Sequence, residues 1–323
     1  MTMPSLREAA EQLSDKEGEN TDLEEKFSDI DTIEKDSVVQ EEKIRHEVEP
    51  ETLGKVAGID GGLIRKRYSY ADVVAVRAVS AVFSFNSSGL KEADYLPGKS
   101  PEPEFHVFDP QDQEGLDRKA EAERLKAETE IALHSQKETD KVFMDGSVVP
   151  SYSQDEKVLE NYNRLFSNAE PGSLIGVVED SYGTSLTDIL EEITGLELGS
   201  TRDTLLMDAI LSEGERSFVR RYSKGPAEHP VLQKLHSNHV NKLYTFYVKL
   251  SSKDLPLRID YYGNPDDADQ IAGALMALKS SERYTVPSPV LEADRKAKIS
   301  RDYIKRLEKR FSPDHQRRSN RVI

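Results

Sequence analysis

The sequence predicts an α/β domain built on one mixed sheet flanked by helices, with a helical extension at its N-terminus. Three observations carry this. Two short apolar runs stop at Asp-Gly pairs: Val56 to Ile59 before Asp60 and Gly61, and Val142 to Met144 before Asp145 and Gly146. A segment dense in β-branched and aromatic residues, Tyr70 to Phe85, follows the first run. Helix-forming and strand-like segments then alternate to the end of the chain, without a tandem repeat and without a linker after residue 115.

Residues 1–50 scatter Leu6, Leu13, Leu23, Phe27, Ile30, Ile33, Val38 and Val39 among many acids, a pattern that suits amphipathic helices with flexible parts. Val56 to Ile59 reads as a buried strand ended by the glycine turn at Gly61 and Gly62. Tyr70 to Phe85 reads as a second long strand, antiparallel to the first. Residues 87–115 hold Pro97, Pro101, Pro103 and Pro110 and read as an excursion outside the core. Leu116 to Leu133 has no helix breaker and is the strongest helix of the first half. Lys141 to Met144 is the next strand. Beyond it come a helix from about Asp155 to Phe166, a buried strand at Ser173 to Val178, and helices from about Leu186 to Leu196 and Thr201 to Leu211. Strands near Lys242 to Lys249 and Pro256 to Tyr262, a helix from Asp266 to Leu278 and a long final helix from about Pro289 to Phe311 complete a main domain over residues 51–311. Residues 312–323 form a basic tail.

Charged residues make up 32% of the 323, and no apolar run approaches the roughly eighteen residues of a membrane-spanning helix, so a soluble cytoplasmic protein without a membrane partner is expected. Cysteine is absent, which excludes disulfides, thiolate zinc sites and a cysteine nucleophile. Any metal must be held by oxygen or imidazole. The net charge of -16 runs against nucleic-acid binding, which draws affinity from Lys and Arg. The charge is polarised, however: acids dominate the first fifty residues, and the stretch from Arg295 to Arg321 is rich in Lys and Arg. That end is either a solvated helix with a frayed tail or a contact for DNA or a partner.

Hydrolysis of phosphodiesters with a divalent metal needs carboxylates that converge on hard cations such as Mg²⁺ or Mn²⁺. Asp60 and Asp145 each sit where an apolar strand leaves the core, beside glycines that permit close approach to the backbone. Glu128 lies on the helix before the second of these strands and could fold back over the same sheet edge. Each feature alone has an ordinary explanation. Asp before Gly is usually a turn residue, and Glu121, Glu123 and Glu130 share the helix with Glu128, so composition does not choose among them.

Val56-Ala-Gly-Ile-Asp60-Gly-Gly62 followed by the long Val-rich strand resembles the first motif of the NurA nucleases. Phe143-Met-Asp145-Gly-Ser147 resembles the second, Arg124 with Glu128 resembles the family's Arg/Glu helix, and the segment from Val286 to Ile299 resembles its C-terminal motif. The four occur in the family's order over residues 52–305. Gly62 stands where Ser is usual, Asp294 where many members carry His, and Val286 where Tyr often precedes the first proline, with Tyr284 nearby. The resemblance implies an RNase H-like fold and a Mn²⁺-dependent (or Mg²⁺-dependent) deoxyribonuclease. It implies metal ligands Asp60, Glu128 and Asp145, with Asp294 as a further catalytic residue. It also implies a homodimer enclosing a DNA channel, 5′→3′ exonuclease and single-strand endonuclease action on DNA ends and single strands, and a role in double-strand break resection. The implied partner is a HerA-type hexameric translocase ATPase, which would relieve the charge conflict by delivering the strand. Candidate DNA contacts are Arg65, Lys66, Arg67, Tyr284, Lys298 and Arg301.

Two other classes compete. Gly58 to Gly62 also resembles the first phosphate turn of actin-like and sugar-kinase ATPases, but no second glycine-rich pair follows Gly199. A non-catalytic subunit that only clamps a translocase would keep the fold and dispense with the acids, all three of which are present. His106, His134, His229, His236 and His239 form no Ser/His/Asp pattern, and His236 with His239 lacks a nearby third ligand.

Overall fold

The computed structural model, which describes residues 23–150, 153–179, 181–225 and 229–311, is organised around three parallel strands. In chain order its main elements are strands β1 (Arg45–Glu47), β2 (Lys55–Arg67), β3 (Asp72–Asn86), β4 (Gly89–Leu96) and β5 (Glu104–Phe108), helix α1 (Gln113–Ser135), β6 (Lys141–Asp145), α2 (Glu156–Asn168), β7 (Leu174–Val178), α3 (Ser185–Thr194) and α4 (Asp203–Ile210). There follow β8 (Glu215–Ser217), β9 (Arg220–Arg221), β10 (Leu243–Lys249), β11 (Leu257–Tyr262), α5 (Ala268–Leu278), β12 (Lys279–Ser281), β13 (Tyr284–Pro287), α6 (Ser288–Ala297) and α7 (Asp302–Phe311).

The sheet runs β1-β8-β10-β11-β7-β6-β2-β3-β4, with β5 also on β3 and β9 also on β10. β6 lies parallel to both β2 and β7, while β2, β3 and β4 form an antiparallel meander. A meander, a crossover helix and two strands parallel to the first give the mixed, RNase H-like arrangement that the resemblance implied. Side chains of β2 alternate between two cores, as the pleat requires. Val56 joins Phe143, Ile175, Ile271, Val290 and Ala293 under α5 and α6. Ala57 and Ile59 join Leu125, Ala132, Met144 and Leu165 under α1 and α2.

Four details differ from the sequence reading. First, β2 does not stop at Gly61 and Gly62; it continues to Arg67, paired with β3 throughout. The glycines make room for neighbours on both faces rather than a turn. A Cβ on Gly58 or Gly62 would lie 2.1 Å from the Pro289 carbonyl carbon or 2.2 Å from the Ala297 carbonyl oxygen of α6, and one on Gly61 would lie 2.4 Å from Glu128 Oε1 of α1. Second, the excursion at 87–115 contains β4 and β5, both paired with β3. β4 is mostly polar and exposed, β5 alternates over only five residues with Phe105 and Val107 turned outward, and the prolines at 97, 101 and 103 fall between them. Third, the final helix is two helices. Arg77 donates to the carbonyls of Lys296 and Lys298 at 3.3 and 3.1 Å, so the end of α6 is satisfied by a guanidinium instead of another turn.

Fourth, of the N-terminal extension only residues from 23 on are described. Residues 23–27 are helical, but 31–48 run largely extended. Their backbone pairs with the body of the domain, as Gln40 N–H does with Val219 O at 2.9 Å. Phe27, Ile33, Val39 and Ile44 are buried against α3 and α4, and Glu41 binds the buried Arg216 at 2.7 and 2.9 Å. The helices expected before residue 23 and the basic tail at 312–323 lie outside the described residues. Among the described residues no helix is long and apolar enough to cross a membrane.

Candidate active site

The site forms where the parallel strands end. Ile59 of β2 is level with Met144 of β6, and β6 stops one residue later at Asp145, its chain turned away by Gly146 at φ +85°. Asp60 therefore sits in mid-strand, at the point where β2 loses its neighbour. Asp60 alternates with Val56 and Asp145 with Phe143, so both carboxylates point to the face covered by α6. They hydrogen-bond each other, Asp60 accepting. This requires one proton between them.

Glu128 arrives from the opposite face. It is 3% exposed, on the third turn from the end of α1, and it occupies the space over Gly61 that any side chain there would fill. Arg124, one turn earlier, donates to Glu128 Oε1 at 2.5 Å and to Glu121 Oε2 at 3.0 Å. Asp294 approaches from α6. It lies in the second half of that helix, too far from its start to be supported by the helix N-terminus; its partner is Lys298 Nζ at 2.6 Å.

The electrostatics are those of crowded acids. Burial raises the Asp60 carboxyl, and Asp294 adds to the rise while Arg124 and the Gly61 N–H oppose it. The surrounding protein pushes Asp145 up to about 7, helped by Asp60 and Glu179, although its outer edge is open to water. Burial pushes Glu128 up to about 8 against the pull of Arg124, with Asp60, Glu121 and Asp145 adding repulsion. For Arg124 the balance is opposite. Burial disfavours its charge, yet Glu128, Glu121 and Asp60 together hold it firmly protonated. One cation among several acids gains from every contact, and each acid gains from only one. Two of these residues were not singled out from sequence. Glu121 was an undistinguished member of an acidic helix, and Glu179, just beyond β7, had no motif at all.

Among the described residues no three His, Asp or Glu side chains already surround one point as ligands of a single ion would. The carboxylates are held instead by each other and by Arg124. The donor set is nevertheless all carboxylate oxygen with an excess of negative charge, which is what a hard divalent cation satisfies and what forces protons onto the acids without one. The residues present fit Mg²⁺ or Mn²⁺. His236 and His239 are not arranged as ligands: their rings stack, and His239 hydrogen-bonds Tyr262 and Ser167.

The candidate DNA-contact residues divide. Arg65 is paired with Asp117, Lys66 with Glu308 at 3.3 Å, and Arg67 with Gln113 at 3.0 Å and the Gln111 carbonyl at 2.5 Å. The three cations at the end of β2 thus bind their own chain. Lys298 and Arg301 are exposed between α6 and α7. The hydroxyl of Tyr284, on β13, donates to Glu179 Oε1 at 2.8 Å beside the acids.

The family model of the NurA domain matches residues 54–299. In solved structures the fold is similar to the NurA nuclease from Sulfolobus solfataricus, with TM-score 0.63 and 18% identity over 96% of each chain. It is also similar to another NurA structure, with TM-score 0.58 and 10% identity over 98% of this chain and 99% of that one. A NurA bound to dAMP and manganese matches with TM-score 0.56 and 9% identity over 85% and 91%. At these identities the likeness concerns the fold. No curated protein sequence matches the chain.

Proposed function

This chain belongs to the NurA family, and on that premise we propose that it is a divalent-metal-dependent DNA nuclease whose Mn²⁺ or Mg²⁺ is held by Asp60, Glu128 and Asp145. The observation that carries this reading is the meeting of Asp60, Asp145 and Glu128 at one strand end, their carboxyls raised by burial and by neighbouring acids that include Asp294. A protein has little structural use for such a cluster, and a cation makes it favourable. A NurA of the same fold has been solved with dAMP and manganese, which supports the choice of ion and of a nucleotide substrate.

When bound, the ion supplies positive charge to the phosphoryl oxygens and activates water as the nucleophile. The chain's own residues do the rest. Glu121 holds Arg124, Arg124 aims the Glu128 carboxylate across Gly61, and the glycine keeps the approach open. Asp60 and Asp145 would hold the cation with their facing carboxylates. Asp294, intermediate in exposure and tethered by Lys298, orients water or completes the ligand set. Lys298, Arg301 and Tyr284 contact the DNA. Arg65, Lys66 and Arg67 do so only by exchanging their present partners.

We further propose that it is a cytoplasmic homodimer acting on single strands and duplex ends, as a 5′→3′ exonuclease and single-strand endonuclease, in end resection with a HerA-type hexameric translocase. The net charge of -16 supports a delivered rather than a captured substrate. Incubation with end-labelled DNA in Mn²⁺, Mg²⁺ or EDTA tests the activity. Co-sedimentation with a hexameric translocase tests the partner, and binding lost on deletion of residues 1–22, with the packed segment around Phe27, Ile33, Val39 and Ile44 left in place, would locate the contact.

A further inference from the structure

Glu179 lies just beyond β7, on the same sheet end as Asp145, which is level with Val177. It adds a carboxylate where carboxylates already repel, and it contributes to the raised state of Asp145. As a mere acceptor for a surface tyrosine this placement is costly, since water would serve. The Tyr284 hydroxyl nevertheless donates to it at 2.8 Å. The backbone beneath Tyr284 is pinned independently. Thr285 N–H and Oγ1 donate to Asp254 at 2.6 and 2.9 Å, and Tyr284 N–H donates to Ser281 Oγ at 3.1 Å. The hydrogen bond to Glu179 therefore fixes the side chain rather than the hairpin. The tyrosine remains 39% exposed, with its hydroxyl tied down among the site's acids.

We propose that Glu179 is a positioning residue that holds Tyr284 as a stacking platform for an unpaired base beside the carboxylate centre. This rests on the nuclease reading above and narrows its substrate to DNA whose terminal nucleotides are unstacked. An aromatic ring accepts any base by its π-face, without sequence preference, and each such contact carries a substantial share of single-strand affinity. The ring must be held still to do so, because a freely rotating tyrosine loses rotamer entropy on binding. A carboxylate acceptor fixes it in the metal-free protein and leaves the ring face open.

The direction of one mutation separates this from simple electrostatics. Removal of an acid beside a DNA site tightens DNA binding by relieving repulsion, whereas removal of a positioning residue weakens it. Fluorescence anisotropy of a labelled unpaired oligothymidylate in Ca²⁺, alongside calorimetric titration of Mn²⁺, provides the readouts. Tyr284→Ala is expected to raise the single-strand Kd by about 10- to 100-fold and that of a blunt duplex by less than about threefold. Glu179→Ala and Tyr284→Phe should each raise the single-strand Kd by about fivefold, the double variant no further because both remove the same bond, and Glu179→Gln should retain most of the affinity. Mn²⁺ affinity should change by less than about fivefold in all of them. Tighter binding in Glu179→Ala, or unchanged binding in Tyr284→Ala with only a fall in melting temperature, overturns the proposal. So does a tenfold or greater loss of Mn²⁺ affinity in Glu179→Ala, which would make Glu179 a ligand. A wild-type protein that binds no DNA overturns the nuclease reading together with this one.

Discussion

Substitution of Glu128 by Gln should make the metal-free protein more stable at alkaline pH while removing its response to metal. Glu128 is 3% exposed, and burial carries its carboxyl from an ordinary 4.5 to about 8 even with Arg124 in contact. The folded value lies above that of the unfolded chain, so the folded protein binds the extra proton between those limits. The stability from this group is full below about pH 4.5 and is lost as pH rises through about 8. At about 1.4 kcal/mol per pH unit the rise corresponds to at most about 5 kcal/mol, and relaxation in an interior of effective dielectric near 20 reduces it to about 1–3 kcal/mol. Gln fills the same space over Gly61 and has nothing to titrate. Thermal unfolding in EDTA at pH 5.5 and 8.5 should show the variant gaining on the wild type by about 2–8 °C between the two pH values. The other acids titrate in both proteins, so the difference isolates Glu128. Saturating Mn²⁺, about 100 times Kd, should stabilise the wild type by about 2.7 kcal/mol and leave the variant nearly unmoved. A variant that is less stable than wild type at pH 8.5 in EDTA, or equally stabilised by Mn²⁺, would refute the picture of a strained ligand awaiting a cation.

The glycines of β2 should separate packing from chemistry. Gly58→Ala drives a Cβ into the backbone at Pro289, 2.1 Å away, and should cost about 1–3 kcal/mol or more in denaturant titration. Gly61→Ala meets the Glu128 side chain and no backbone, at 2.4 Å from Oε1 and 2.7 Å from Cγ; it should cost less stability than Gly58→Ala while cleavage falls on the order of 100-fold, and a larger stability loss than Gly58→Ala with cleavage preserved would contradict this. Asp294→Ala loses an ion pair that is largely open to water, worth at most about 1 kcal/mol, so a site role requires a large loss of cleavage at nearly unchanged melting temperature, partly restored in Asp294→His. Charge reversal at Lys298 and at Arg301 should each reduce the salt slope of DNA binding by about one; a salt titration that superimposes on wild type would return the α6–α7 junction to a structural role.

Strands and helices that bury a regular pattern were legible in the sequence. β3, β6, β7, α1 and α5 follow directly from β-branched density, apolar runs or unbroken helix formers. What escaped was decided by neighbours distant in sequence. Gly61 and Gly62 carry the local signature of a turn, yet they lie inside a strand because Glu128 and Ala297 need the space of their missing side chains. The end of α6 is set by Arg77, more than two hundred residues earlier. β4 and β5 are edge strands whose polar faces look like loop, and the extended strap at 31–48 carries apolar residues at spacings that also fit a helix. The same holds at the site. Asp60 and Asp145 could be picked out because an acid at the end of an apolar run is conspicuous. Glu128 needed the Arg124 spacing and the family resemblance to distinguish it from Glu121. Glu179 could be found only once β7 was laid beside β6.

The central claim is that Asp60 and Asp145, opposed across the end of β6, are one half of a metal site that cuts DNA. It is tested most directly by incubating end-labelled single-stranded and blunt duplex DNA with the wild type, Asp60→Asn and Asp145→Asn in Mn²⁺, Mg²⁺ or EDTA, with circular dichroism as the control for folding. The wild type should cleave in Mn²⁺ and not in EDTA, and each folded variant should lose at least about a thousandfold, in line with removing a group on which the chemistry depends. Cleavage that persists in EDTA, or full activity in either Asn variant, would contradict it.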